Sequence, residues 1–185
     1  MNMIRRILSK LRRTLTRKSK NYQAMANSLI DQNSVVGDYT YIGFNCIVTK
    51  AEIGRYCSIA NNINIGPGEH ALSDISTSSV FYENPYEKLT QKPVKIGHDV
   101  WIGSNCIIRR GVTVGNGAVI GANSFVNSDV PAFAIYAGTP AKLIRYRFDE
   151  PTRNSITQSA WWNYDLATAK KMTKSLQPLI ADVKI

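Results

Sequence analysis

Two histidines, His70 and His98, are the only imidazoles in the 185 residues. A neutral imidazole with a pKa near 6.5 takes up and returns a proton at pH 7. His70 closes the run Gly66-Pro67-Gly68-Glu69-His70 and is followed by Ser73, the Ser76–Ser79 cluster, Phe81-Tyr82 and Pro85-Tyr86. From position alone it reads either as a general base or as a polar loop residue. His98, in Ile96-Gly97-His98-Asp99, reads as a solvated turn residue. Two histidines are too few for a three-histidine zinc site. Cys46, Cys57 and Cys106, an odd number in no metal-ligand spacing, argue against a disulfide framework and a zinc centre.

The elements that position these groups follow from an internal repeat. Ile96, Ile102, Ile108, Val114, Ile120 and Val126 recur every six residues, and Gly97, Gly103, Gly115 and Gly121 follow four of them. Val36, Ile42 and Val48, then Ile53, Ile59 and Ile65, form an earlier block with one five-residue step near Lys50–Glu52. A six-residue period is neither a 3.6-residue helix nor a two-residue alternation. It suits a short strand plus a corner, three of which close a triangular coil, with coils stacked at the ~4.8 Å strand spacing. The aliphatics point into the prism. A small slot four residues after each aliphatic holds Cys46, Cys57 and Cys106, which makes them small buried hydrophobes rather than nucleophiles. Twelve hexads predict about four coils. The pattern breaks over 69–93, which predicts a loop thrown outward from a rigid scaffold with His70 at its start.

Several stretches together resemble the hexapeptide-repeat acyltransferases, and within them the xenobiotic acetyltransferase branch, which includes chloramphenicol, streptogramin and polysaccharide O-acetyltransferases. These are Ile53-Gly-Arg-Tyr-Cys-Ser-Ile59, the glycine-rich loop ending in His70, Ile96-Gly-His-Asp-Val-Trp-Ile-Gly103, Ala137-Gly-Thr-Pro-Ala-Lys-Leu-Ile-Arg145 and Trp161-Trp162-Asn163-Tyr164. The similarity spans about residues 33–180. It implies an all-β solenoid, a left-handed parallel β-helix, in a homotrimer with acetyl-CoA held between two prisms. His70 matches the catalytic base. Trp101 and Tyr82 fall at the acceptor side. Ser104 and Ala122 match positions whose backbone bonds the pantetheine arm, and Lys142 and Arg145 match cations near the coenzyme phosphates, a role their charge suits. Asn127-Ser128 departs from the Thr-Lys common in relatives and removes one expected cation. The implied reaction is direct transfer of acetyl from acetyl-CoA to a hydroxyl, without a metal.

Composition bounds the remainder. Apolar residues make up 44% and no apolar run is long enough to span a bilayer. No secretory signal pattern appears, which points to a reducing cytoplasm. The net charge is +10, but residues 1–20 hold eight cations and no acid, so the remaining 15 cations against 13 acids leave a body of +2 and no nucleic-acid face. Ile4, Ile7, Leu8, Leu11 and Leu15 line one face of a basic N-terminal helix. An anionic membrane surface suits this arm; a partner subunit or a solvated tail are the other readings. The expected organisation is a basic arm over 1–32, a β-helix over 33–148 and a helical extension over 149–185, with helices starting at Asp149 and Asp165 and Trp161-Trp162 capping the open end of the solenoid. A membrane-associated arm favours a sugar hydroxyl of a surface polysaccharide or its lipid-linked precursor at the inner face of the membrane. An antibiotic hydroxyl and a nucleotide-sugar amine are the alternatives.

Overall fold

The computed structural model describes residues 21–180. Each hexad folds as a strand of two or three residues whose last residue faces inward, so Ile42, Ile59, Ile102 and Ile120 are wholly buried while Tyr41 and Trp101 before two of them face out. Three parallel faces result. The first runs through Gln23–Ala24, Tyr41–Ile42, Ser58–Ile59, Trp101–Ile102, Val119–Ile120 and Ala134–Gly138. The second runs through Leu29–Ile30, Ile47–Val48, Asn64–Ile65, Ile107–Ile108 and Phe125–Val126. The third runs through Val35–Val36, Ala51–Ile53, Val94–Ile96 and Thr113–Val114 and ends on a bridge from Val114 to Val130. Registers keep like above like: Trp101 pairs with Ser58 on one side and Val119 on the other.

Cys46, Cys57 and Cys106 occupy the narrow slot and are buried. Their Sγ atoms each lie 3.1 Å from a backbone carbonyl oxygen of the next coil, Ala60, Gly97 and Gly121 respectively. Burial pushes the Cys57 thiol up to about 12, which removes it as a nucleophile.

The solenoid starts earlier than the hexads indicate. Gln23–Ala24 and Leu29–Ile30 pair with Tyr41–Ile42 and Ile47–Val48. Residues 23–32 therefore belong to the prism rather than to an arm, and the first face carries six parallel strands where four coils were expected. The amphipathic pattern of residues 1–20 lies outside the described residues.

After the last coil, Ala141–Tyr146 turns back antiparallel along the first face. Helix α2 (Glu150–Ser159) is capped by Asp149, whose carboxylate accepts from the Thr152 N–H at 3.0 Å. Helix α3 (Leu166–Leu176) is capped by Asp165, which accepts from Ala167 and Thr168. The tryptophans between them do not cap the solenoid end. They lie along the edge between the third and first faces, where Tyr39 stacks on Tyr56 at 4.8 Å, Trp161 packs on Tyr56 at 5.1 Å, and Trp162 stacks on His98. Flat rings fit this edge because successive corners repeat at strand spacing and leave a groove between rows. Arg55 fastens the connection by donating to the carbonyl oxygens of Asn163 and Tyr164, both at 2.8 Å. His98 is therefore half-buried rather than solvated. Its Nδ1 accepts from the Arg55 N–H at 2.9 Å, and burial, then the Arg55 charge, hold its pKa below the usual value.

Candidate functional site

The edge between the second and third faces is where the coil opens. Regular turns pass it at Thr49-Lys50 and Arg109-Arg110, but the intervening one leaves after Ile65 and returns at Val94. Gly66 makes the exit with φ of +66°, and a Cβ there would stand 2.7 Å from the Thr49 carbonyl oxygen, so no other residue fits. The excursion carries a 3₁₀ turn over Ser79–Phe81 and the short helix α1 (Pro85–Leu89). It is tied to the earlier coils through Tyr86, whose hydroxyl donates to Asp31 at 2.6 Å and accepts from Asn33 at 2.8 Å, and through Lys50–Glu87 at 2.8 Å. Burial pushes the Asp31 carboxyl up, but hydrogen bonds from Ser34, Tyr86 and two backbone amides outweigh this and hold it below the usual range.

His70 projects from the outgoing limb and is exposed. Its Nδ1 lies 2.5 Å from the Thr77 carbonyl oxygen. A carbonyl only accepts, so Nδ1 carries a proton, and in the neutral ring the lone pair is therefore on Nε2. The Tyr82 ring stands 6.2 Å away, and its hydroxyl accepts from the Ala71 N–H at 3.1 Å. Glu69 and Asp74, the nearby carboxylates, are engaged elsewhere. Glu69 takes both ends of Arg109, at 2.5 and 3.1 Å, and Asp74 meets Lys88 at 3.5 Å. A cleft of about 300 Å³ opens at His70, with Ser73, Lys88, Gln91 and Lys92 in its walls.

The other anticipated residues form a second group. Trp101 stands on the first face, 56% exposed. Ser104 and Ala122 follow one another up the corner between the first and second faces, with Asn123 N donating to the Ser104 carbonyl at 2.9 Å. Lys142 pairs with Ala137 and Arg145 with Ile135 on the antiparallel strand, both exposed. One chain thus brings His70 to Tyr82, and separately aligns Trp101, Ser104 and Ala122 toward Lys142 and Arg145. The second face lies between the two groups.

Two features escaped the sequence reading. One is an asparagine ladder beside Ser104 and Ala122: Asn45 donates to Asn62 at 3.3 Å, Asn62 to Asn105 at 3.0 Å and Asn105 to Asn123 at 3.1 Å. All four have φ between 56° and 60°, a conformation asparagine tolerates. Its signal was present, an Asn three residues after Ile42, Ile59, Ile102 and Ile120. The other is the Thr77 carbonyl, a backbone group that leaves no mark on residue type.

Comparison with known proteins identifies the family. The family model described as the hexapeptide repeat of succinyl-transferase matches residues 93–128. A probable macrolide acetyltransferase of Lysinibacillus sphaericus is 36% identical over 137 residues, covering 68% of this chain and 73% of the relative. A putative lipopolysaccharide biosynthesis O-acetyl transferase of Escherichia coli (strain K12) is 35% identical over 115 residues, covering 61% of this chain and 57% of the relative. Among solved structures, a maltose O-acetyltransferase from Clostridium difficile 630 matches with a TM-score of 0.58 and 30% identity, over 70% of this chain and 68% of the other. A hexapeptide-repeat acetyltransferase from Vibrio cholerae O1 biovar eltor, solved with acetyl coenzyme A, matches with a TM-score of 0.53 and 28% identity, over 69% and 72%. With its stacked hexads and its single excursion at the open corner, the chain belongs to the hexapeptide-repeat acetyltransferases, the family of the left-handed parallel β-helix.

Proposed function

We propose that this chain transfers the acetyl group of acetyl-CoA to a sugar hydroxyl of a bacterial surface polysaccharide or its lipid-linked precursor, with His70 as general base. The observation that carries the reading is the commitment of His70 Nδ1 to the Thr77 carbonyl, which leaves Nε2 free at the mouth of a polar cleft. Nε2 takes the proton of the acceptor hydroxyl as its oxygen attacks the thioester carbonyl. The new C–O bond forms, the C–S bond breaks, and the imidazolium returns the proton to the departing thiolate sulfur. Proton transfer of this kind contributes typically 10²–10⁴-fold.

The cleft walls of Glu69, Ser73, Lys88, Gln91 and Lys92 offer hydrogen-bonding groups suited to a polyol. The pantetheine arm takes the corner of Ser104 and Ala122 as its groove, and the exposed Lys142 and Arg145 supply the charge its phosphates need. Since one chain keeps these groups a full face away from His70, a complete site takes His70 from one subunit and the groove from its neighbour, in a homotrimer. The basic arm over residues 1–20 brings the enzyme to the inner membrane face.

A second reading, acetylation of an antibiotic hydroxyl, is favoured by one observation: Leu72, Ile75, Val80 and Phe81 expose apolar surface on the same excursion. The test is an acceptor panel of glycans and antibiotics, assayed for CoA release from acetyl-CoA with the native chain and with His70→Ala. Turnover on a glycan, reduced 10²–10⁴-fold in the variant, supports the proposal. Turnover on antibiotics alone supports the second reading, and a fully active variant removes His70 as the base.

A further inference from the structure

Arg110 is only 6% exposed, and it forms no ion pair among the described residues. All five of its N–H donors are used on backbone carbonyls instead. Nε donates to Pro67 at 3.3 Å, Nη1 to Lys50 at 3.4 Å and Lys92 at 3.2 Å, and Nη2 to Thr49 at 2.8 Å and to Gly66. These carbonyls are not a random set. Gly66 and Pro67 begin the outgoing limb of the excursion, Lys92 ends the returning limb, and Thr49-Lys50 is the same edge one coil earlier. Where the middle coil abandons its corner, the Lys50 carbonyl still accepts from the Val94 N–H at 3.3 Å, but the Thr49, Gly66, Pro67 and Lys92 carbonyls need donors from elsewhere. A planar guanidinium with five donors meets that need, whereas an ammonium offers only three from one point.

The preceding residue grips the same limb from outside. Arg109 holds both carboxylate oxygens of Glu69, the residue next to His70. The Glu69 N–H in turn donates to the Leu89 carbonyl at 3.0 Å, joining the outgoing limb to the end of α1.

We propose that Arg109 and Arg110 are positioning residues for His70: Arg110 locks the two feet of the excursion to the coils before and after it, and Arg109 fixes the limb through Glu69 so that the imidazole meets the Thr77 carbonyl. The inference rests on the reading of His70 as the base, and it concerns how that base is aimed rather than what it does.

The test uses the full chain with ¹⁵N-labelled histidine. Its two imidazoles give two sets of ring signals, assigned with His70→Ala. In the native protein at pH 8, His70 shows the Nδ1–H tautomer. Arg110→Lys, Arg109→Gln and Glu69→Gln each lose that signature and take up the tautomer mixture of a free imidazole, while His98 is unchanged. The exchanged pair Glu69→Arg with Arg109→Glu regains it. On any acceptor of the panel that is turned over, the single variants lower kcat on the order of tenfold to a hundredfold, with KM for acetyl-CoA within about twofold. Should Arg110→Lys fail to fold, the surface pair decides alone. Survival of the Nδ1–H signature in Arg109→Gln and Glu69→Gln overturns the inference even if His70→Ala is inactive. Loss of the signature alongside a fully active His70→Ala upholds the clamp and overturns the base.

Discussion

The imidazole of His98 lies face to face with the indole of Trp162, with ring centroids 5.8 Å apart and planes 11° from parallel. The contact joins the solenoid edge to the C-terminal helices, and it is titratable. Burial, followed by the charge of Arg55, keeps the imidazole pKa below its ordinary 6.5 in the folded state. Between the two pKa values the unfolded chain binds more protons, so stability rises with pH there. The contribution is complete above about pH 6.5 and is lost as pH falls through the lowered folded value. Thermal unfolding followed from pH 8 to pH 5 is expected to show Tm falling, and His98→Gln is expected to flatten the slope. Asp99, pushed up by burial against the pull of Arg147, acts with the opposite sign nearer the carboxylate range. A slope unchanged in His98→Gln would assign the effect elsewhere.

The asparagine ladder separates two costs. Asn105 spends both sides of its amide on Asn62 and Asn123 and sits at φ of +60°. Asn105→Ala forfeits the ladder bonds and puts into the left-handed region a residue without asparagine's tolerance of it, a conformation that costs an ordinary L-residue roughly 1–2 kcal/mol. Asn105→Gly forfeits the bonds but tolerates the backbone. Urea unfolding midpoints should therefore rank native, then Gly, then Ala. Equal midpoints for the two variants would mean that the backbone conformation costs nothing here.

The three thiols should be inert. Each is enclosed in the prism, and Cys57 is pushed up to about 12. A colorimetric disulfide reagent is expected to modify no cysteine in the native chain and three after unfolding. Cys57→Leu inserts volume into a slot that a carbonyl closes from the next coil, and should cost about 1–3 kcal/mol. Rapid native modification of any of the three would contradict this packing.

Arg55 is the main polar fastening of the C-terminal segment. Its two bonds to Asn163 and Tyr164 are joined by one from the Tyr56 hydroxyl to Tyr164 at 2.8 Å. Arg55→Ala removes about 1–3 kcal/mol of local attachment, so limited proteolysis within residues 147–165 should accelerate roughly tenfold. The solenoid itself should resist cleavage as before. Unchanged digestion would show that the ring stack suffices.

Much of this molecule can be read without coordinates because inward position, corner and small slot each constrain residue type. Ile102, Gly103 and Cys106 announce their places by chemistry alone. The reading faded at the first coil, where the positions in register with Ile42 and Val48 are the exposed Ala24 and the half-buried Ile30, and the aliphatic period thins out. His98 misled for a different reason. A polar residue after a glycine looks like a solvated turn unless the partner is known, and its partner, Trp162, is 64 residues away. The excursion was visible as a gap in the period, but its internal ties depend on backbone carbonyls at Thr77, Gly66 and Lys92, and these carry no side-chain signature. Arg110 resembled any surface cation in a basic chain.

That excursion begins and ends within one corner of one coil. Between its two feet the segment can change length or residue type while the stacked prism above and below keeps its register. Sequence drift in that segment therefore changes what surrounds His70 without disturbing how the coils stack.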